Sequence, residues 1–214
     1  MHFQFLVEDH SGKTMLSHLM PMLLGEGHTF DIKSYKGVGR IPRGLKPKSD
    51  ASKRILLDQL PKLLAGYGKS YQNYAAVVIV VCDLDDKDLK SFRNDLFAVL
   101  NHCNPKPNAD FCIAIEEGEA WLLGDKDAVL SAYPNAKQSV LNSYEYDAIC
   151  GTWEKLADAL YPGGATKLKK KGWRETGRIK NEWADRISPE ISLDENQSPS
   201  FQYFLGRIRH FMQD

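Results

Sequence analysis

The sequence predicts an α/β protein: a mostly parallel sheet flanked by helices, with a helical C-terminal extension. Strand and helix patterns alternate over residues 1–133, which is typical of a parallel sheet covered on both faces. The run YAAVVIVVC at Tyr74–Cys82 is continuously apolar and rich in β-branched residues, as a strand buried on both faces requires. Strand signals fade after residue 133, so we expect residues 134–214 to form a mainly helical extension packed on the first domain.

Each element of the predicted domain has its own signal. Phe3–Val7 is a short buried strand, and the leucines that follow recur at helical spacing. We expect Ser11 to cap that helix and Pro21 to kink or split it. Thr29–Tyr35 alternates loosely and predicts a second strand.

The segment 36–49 is rich in glycine, proline and basic residues and shows no helix or strand period. Ser49 or Asp50 is the expected cap of the next helix, in which Pro61 is again a disturbance. An amphipathic helix follows the central strand, and Phe111–Ile115 is the last predicted strand, followed by a helix to about residue 133. Beyond it we predict helices at residues 152–161 and around 201–211.

Composition excludes some classes of protein. Lys+Arg and Asp+Glu both number 28, so the net charge is zero, which disfavours a protein that simply coats a polyanion, although local basic patches remain possible. The 4 cysteines form no C-x-x-C pair, which argues against a zinc site and for thiols in a reducing compartment. The N-terminal residues do not resemble a signal peptide, and no apolar run approaches the roughly 18 residues of a membrane span. We therefore expect a cytoplasmic protein without membrane contact.

Carboxylates follow three of the predicted strands, at the point where each strand ends. Because the carboxyl ends of parallel strands meet at one edge of a sheet, these groups should converge there. Crowded carboxylates repel one another, and hard oxygen ligands suit Mg²⁺ or Mn²⁺, so the pattern predicts a divalent-metal site. The acidic groups are Glu8 and Asp9; Asp83, Asp85 and Asp86; and Glu116, Glu117 and Glu119.

Simpler interpretations exist for some of these residues. Asp85 or Asp86 could cap the following helix, and Glu117 and Glu119 could be ordinary acids of a first helical turn. A cap explains one aspartate of the DLDD segment but not the others.

The segment VEDHSGKT at residues 7–14 ends like a phosphate-binding P-loop between a strand and a helix. That pattern requires glycine where this chain has Val7, and Glu8 and Asp9 would repel a phosphate. We therefore do not expect nucleotide binding there, although Lys13 could contact a substrate phosphate.

Basic residues are concentrated in two segments, 33–54 and 167–186, the second of which includes Trp173 and Trp183. Basic loops beside an acidic metal centre suit a phosphodiester backbone, whereas a solvated face or a partner-binding surface is the simpler interpretation. The residues predicted to bind nucleic acid are Lys13, Arg40, Arg43, Lys46 and Lys48.

A glutamate after the first strand and a D-x-D after a later buried strand resemble the Toprim domain of topoisomerases, primases, recombination mediators and overcoming-lysogenisation-defect nucleases. The segments VEDHSGKTML, VVIVVCDLDD and AIEEGEAWLLGD are similar to an uncharacterised bacterial Toprim-like family. This resemblance implies catalytic, metal-binding roles for Glu8, Asp83 and Asp85. It also implies phosphodiester chemistry on DNA or RNA, and, for the last nuclease type, a separate ATPase partner in phage defence.

Three hypotheses follow. The first is a metal-dependent nuclease of Toprim type, in which Glu116 and Glu119 help to bind metal. The second is a non-catalytic Toprim-like module that binds nucleic acid or a partner protein. The third is a phosphatase of the haloacid dehalogenase class, which also places D-x-D after an apolar strand and would use Asp83 as its nucleophile.

Overall fold

A computed structural model describes residues 1–46 and 50–213 and contains a four-stranded, fully parallel sheet of order β2-β1-β3-β4. This arrangement confirms the predicted α/β fold. The strands are β1 (His2–Val7), β2 (Thr29–Ser34), β3 (Ala76–Asp83) and β4 (Ala109–Ala114).

Strand register determines which residues share the functional edge. Val7 lies opposite Val81, and Asp83 lies opposite Ala114, so β1, β3 and β4 end at nearly the same level. The residues that follow these strands therefore emerge at one edge of the sheet.

Helices cover both faces of the sheet. The α-helices of the first part of the chain are α1 (His10–Leu23), α2 (Leu56–Ser70), α3 (Leu89–Asn101), α4 (Glu119–Leu123) and α5 (Lys126–Ala132). Those of the second part are α6 (Gln138–Asn142), α7 (Thr152–Leu160), α8 (Gly164–Lys169), α9 (Trp173–Ile187) and α10 (Pro199–Gln213). Short 3-10 turns lie at Arg43–Leu45, Ala51–Lys53 and Ser188–Glu190.

The C-terminal helices share a core with the sheet. On one face, the ring of Phe5 in β1 lies 6.3 Å from that of Phe204 in α10, and Trp121 of α4 stacks on Phe204 at 4.9 Å. On the other face, α2 and α3 pack on the alternate residues of β3, such as Val78 and Val80. The extension after residue 133 is thus fastened to the face of the sheet that also carries α1.

Several local expectations were wrong. The expected split at Pro21 does not occur, and Pro61 also lies inside one helix, because the buried leucines around them anchor α1 and α2 to the core and offset the cost of a lost backbone hydrogen bond. The predicted helix after β4 is two helices, since the Asp125 side chain caps a new one by accepting from the Ala128 N–H at 2.9 Å. Asp50 caps a 3-10 turn instead of α2, and Ser49 lies outside the described residues.

No helix in the described part of the chain is both long and apolar enough to cross a bilayer.

Candidate functional site

Two of the five predicted metal ligands are in contact at the edge of the sheet. Glu8 follows β1 directly, and Asp83 is the last residue of β3. The backbone N–H of Asp83 donates to Oε2 of Glu8 at 3.1 Å. The parallel pairing of β1 with β3 therefore brings together two carboxylates that lie far apart in sequence.

This pair is electrostatically unfavourable when both groups are ionised. Burial raises the pKa of Glu8 to about 7, and the charges of Asp85 and Asp9 act in the same direction. Burial and the neighbouring Glu8 charge also raise the pKa of Asp83 well above its usual value. The two groups hold a proton more readily than ordinary carboxylates do, or they require a cation.

Asp9 has a structural role at the start of α1. Its Oδ1 accepts from the Gly12 N–H at 2.7 Å, and its Oδ2 accepts from the Ser11 hydroxyl at 2.6 Å. The cap is therefore Asp9 and not Ser11. A carboxylate occupies the helix N-terminus, where a P-loop would bind phosphate, and its charge opposes phosphate binding there. Lys13 is half-buried in the first turn of α1.

The DLDD segment does not cap the helix that follows it. Asp88 caps α3 by accepting from the Ser91 N–H at 2.8 Å. Asp85 has a positive φ of 50° and forms an ion pair with Lys87, and Asp86 is exposed. Capping therefore explains none of the first three aspartates, and the acidic segment is available for another purpose.

A lysine from the C-terminal part of the chain enters the acidic edge. Lys180 lies on α9, and its Nζ is 3.0 Å from Glu119 Oε2 and 3.7 Å from Glu117 Oε2. Burial by itself would lower the pKa of Lys180, but the carboxylates around it outweigh that effect and raise it. The lysine is thus held as a cation among the carboxylates of two strand ends, including Asp83.

Glu117 differs from Glu119 in its hydrogen bonding. Glu119 is 4% exposed and bonded to Lys180. Burial raises the pKa of Glu117 to about 7, although Lys180 acts against it, and its Oε2 has no hydrogen-bond partner among the described residues. A half-buried carboxylate with a pKa near 7 is suited to accept and release a proton.

Sequence reasoning had assigned Lys180 only to a basic surface segment. A helical projection of α9 contains a signal for its true position, because Lys180 adjoins the buried Ile179 and precedes the buried Trp183 and Ala184 by about one turn. A lysine on the inward side of an amphipathic helix needs an acidic partner.

Glu116 is engaged elsewhere. Its carboxylate accepts hydrogen bonds from the backbone N–H groups of Cys150 at 3.1 Å, Gly151 at 2.8 Å and Thr152 at 2.9 Å, and from the Thr152 hydroxyl. Burial alone would raise the pKa of Glu116, but these hydrogen bonds outweigh it and lower the pKa. Glu116 therefore caps the N-terminus of α7, whose own capping residue is the glycine at 151.

The carboxylate oxygens at this edge are of the type that binds divalent cations, but only some of them lie together. Glu8 and Asp83 are adjacent hard-oxygen ligands, and a cleft lined by Asp9, Asp83, Gly118 and Glu119 has room for about one water molecule or ion. Asp85 is close enough to raise the pKa of Glu8 but is paired with Lys87. Within residues 1–46 and 50–213, no three His, Cys, Asp or Glu side chains already surround one metal position.

The first basic segment begins beside the acidic edge. The Gly37 N–H donates to the backbone oxygen of Glu8 at 3.1 Å, which ties the start of the loop to β1. Arg40, Arg43 and Lys46 are exposed further along it. The predicted nucleic-acid contact at Lys48 lies outside the described residues.

The second basic segment divides into two parts. Trp183 is 3% exposed and belongs to the core, and Lys180 faces the carboxylates. Trp173 at the start of α9 is 81% exposed. The two tryptophans therefore have different roles.

Comparison with known proteins adds a family. The model of a domain of unknown function, DUF4276, matches residues 7–209, which include the whole acidic edge, Lys180 and most of α10. No curated protein and no solved structure matches the chain at a significant level.

Proposed function

Since the chain belongs to the DUF4276 family, whose description assigns no activity, we propose a function from its own geometry: divalent-cation-dependent hydrolysis of phosphodiester bonds in nucleic acid. The observation that carries the proposal is the contact between Glu8 and Asp83, at 3.1 Å between the Glu8 carboxylate and the Asp83 N–H, at the carboxyl end of parallel strands. Mg²⁺ or Mn²⁺ is the cation that such hard-oxygen ligands favour.

The residues that would hold the cation are Glu8 and Asp83, joined by Asp85 when it leaves Lys87. A bound divalent cation would supply charge neutralisation and polarisation of a phosphoryl oxygen. The repulsion between the Glu8 and Asp83 carboxylates favours cation binding, because a bound cation relieves that repulsion.

Lys180 and Glu117 have separate roles in the proposal. The Lys180 ammonium stabilises negative charge that develops at the phosphate. It also opposes the rise that burial causes in the pKa of Glu119. Glu117 accepts or returns a proton at Oε2, the oxygen that lacks a hydrogen-bond partner among the described side chains. With a pKa of about 7, the Glu117 carboxyl group can both accept and donate a proton near neutral pH.

Basic side chains around the acidic edge would bind the phosphate backbone. Arg40, Arg43 and Lys46 are exposed in the loop that follows β2 and contacts Glu8 through the Gly37 N–H, and Lys48 continues it in sequence. Lys13 lies in the first turn of α1, beside the same edge. Such contacts bind nucleic acid of any sequence and weaken as the salt concentration rises.

The proposal also includes the finer expectations from the Toprim resemblance. In it, the chain is a cytoplasmic, Toprim-type nuclease of a phage-defence system and works with a separate ATPase. A regulatory module that binds without hydrolysis would share the fold and the basic loop but would show no turnover.

The test combines metal binding and hydrolysis. Asp83→Ala with Asp85→Ala should abolish Mn²⁺ binding measured by calorimetry and abolish Mn²⁺-dependent cleavage of single-stranded DNA, double-stranded DNA or tRNA. The exposed Asp86→Ala is the matched control and should leave both unchanged. Unaltered Mn²⁺ affinity in the double variant would refute the proposal.

A phosphatase of the haloacid dehalogenase class gives a different result. It would form an aspartyl-phosphate at Asp83 from a phosphomonoester, and this product is detectable by mass spectrometry after acid quenching. The raised pKa of Asp83, caused by burial and the Glu8 charge, opposes such a role because a nucleophile must be ionised.

A further inference from the structure

Trp173 is an exposed aromatic side chain in a basic surrounding. It is 81% exposed at the start of α9, and it is the only large hydrophobic side chain so exposed in residues 152–213. Single exposed hydrophobic side chains are common on protein surfaces, so the charges around Trp173 decide what it can bind.

Of the basic residues around Trp173, Lys169 and Arg178 have acidic partners and the others do not, within the described residues. Lys169 is paired with Glu154 at 2.9 Å, and Arg178 is paired with Glu175 and Glu182. In the described ranges, no carboxylate lies within ion-pair distance of the remaining cations, Lys167, Lys170, Lys171 and Arg174. The patch around the indole therefore carries an uncompensated positive charge.

The position of Trp173 relates it to the acidic edge. Trp173 and Lys180 are seven positions apart on α9, which is about two turns, so they project on the same side with about 10 Å between them along the axis. Lys180 contacts Glu119 at 3.0 Å, whereas the Trp173 side chain is exposed to solvent.

The surface between Trp173 and Lys180 is open. Gly177 is exposed, and a Cβ added there would meet no atom within 4 Å. The guanidinium carbon of Arg174 lies over the indole at 5.4 Å from the ring centroid, which leaves the other face of the ring free. A flat group that carries negative charge nearby fits this arrangement.

We propose that Trp173 is a stacking platform for an unpaired base of single-stranded nucleic acid, whose backbone is bound by Lys170 and Lys171 and directed along α9 towards the acidic edge. The inference rests on the proposed function and adds the substrate class to it. Single strands expose base faces, while duplexes bury them, and an aromatic side chain among cations is how proteins bind single strands without sequence preference.

A membrane surface is the competing partner of an exposed tryptophan beside lysines. Insertion into a bilayer requires a broad apolar face on the helix. The exposed neighbours of Trp173 on α9 are Arg174, Gly177 and Arg178, which supply no such face. Charge and the isolation of the indole therefore favour nucleic acid.

The experiment measures binding of fluorescein-labelled dT20 in EDTA, so that hydrolysis plays no part. Trp173→Ala should weaken dT20 binding by about 5- to 150-fold, the range expected for loss of one stacked base, and should leave affinity for a blunt duplex within about twofold. Trp173→Phe should retain most of the affinity. Tyr74→Ala is the matched control, because Tyr74 is 57% exposed near the opposite end of β3, and it should bind like the wild type.

Two outcomes would overturn the inference. One is unchanged dT20 affinity in Trp173→Ala; the other is an equal loss for dT20 and duplex. Loss of binding to phosphatidylserine vesicles in Trp173→Ala, with dT20 binding intact, would assign the indole to a membrane instead. Failure of the proposed function would look different, since Mn²⁺-dependent cleavage would be absent while Trp173-dependent binding of dT20 persisted.

Discussion

The ammonium group of Lys180 lies 3.0 Å from the carboxylate of Glu119, and the two side chains are 16% and 4% exposed. The ion pair joins α9 to the residues that follow β4, so it connects the C-terminal extension with the edge of the sheet. Neither partner has enough water around it to remain ionised alone.

Removing one partner of this pair should therefore destabilise the protein. We expect Lys180→Met to lower the free energy of unfolding by about 3–5 kcal/mol, because it leaves buried carboxylates without a cation. The double variant Lys180→Met/Glu119→Gln should recover much of that loss, as urea unfolding would measure. Lys170→Met, on the exposed surface, is the control and should change little. Equal losses in the single and double variants would contradict the pairing.

Stability of the metal-free protein should fall as pH rises from about 5 to 8. Burial raises the pKa of Glu8 and of Glu117 to about 7 from an ordinary value near 4.5, so between these values the folded state binds protons that the unfolded chain has lost. The resulting stabilisation is complete below the ordinary pKa and disappears as pH rises through 7, at most about 3 kcal/mol per group.

Glu8→Gln should flatten this pH dependence and leave the part due to Glu117. Glu26→Gln is the control, since Glu26 is exposed. Denaturant unfolding in EDTA at several pH values measures the slope. A slope in Glu8→Gln identical to that of the wild type would show that Glu8 titrates normally.

Glu116 should contribute to the stability of the fold and not to metal binding. Glu116→Ala removes the cap of α7, so we expect a loss of about 1–2 kcal/mol in the free energy of unfolding with unchanged Mn²⁺ affinity. The exposed Glu145→Ala is the matched control. A large fall in Mn²⁺ affinity in Glu116→Ala would restore the metal role that the sequence suggested.

The basic loop should bind nucleic acid through charge. Replacing Arg40, Arg43 and Lys46 with Ala should weaken binding of all sequences and reduce the salt slope by about one unit per lost phosphate contact. Mn²⁺ affinity should hardly change, because the loop supplies no acidic ligand. If the loop instead docks on a partner protein, the variant loses that complex and keeps its affinity for nucleic acid.

A control variant for the loop replaces three exposed lysines outside it, Lys62, Lys69 and Lys106. It removes the same charge from the protein. A salt slope that falls equally in both variants would indicate an effect of net charge and not of the loop.

The sheet and its edge were predictable because they depend on local patterns. Consecutive apolar residues such as those of β3 predict a buried strand. Parallel pairing of such strands then places their carboxyl ends at one edge of the sheet. Glu8 and Asp83 could be placed together for that reason.

The remaining features depend on contacts between distant segments. The position of Lys180 requires α9 to pack on α1 and α4, and the capping role of Glu116 requires the turn before α7 to fold back towards β4. Glu116 itself has a positive φ of 61°, which redirects its side chain. The helical spacing of Lys180 with Ile179, Trp183 and Ala184 indicates an inward-facing lysine, but no local pattern identifies its acidic partners or the turn that Glu116 caps.

The contribution of α9 to the acidic edge also determines the order in which that edge can be completed. During synthesis the ribosome releases Glu8, Asp83 and Glu119 before the segment that carries Lys180. Until α9 docks, the carboxylates repel one another without their internal cation. A nascent chain in which only the sheet has formed thus lacks the cation that pairs with these carboxylates, because Lys180 lies in the last third of the chain.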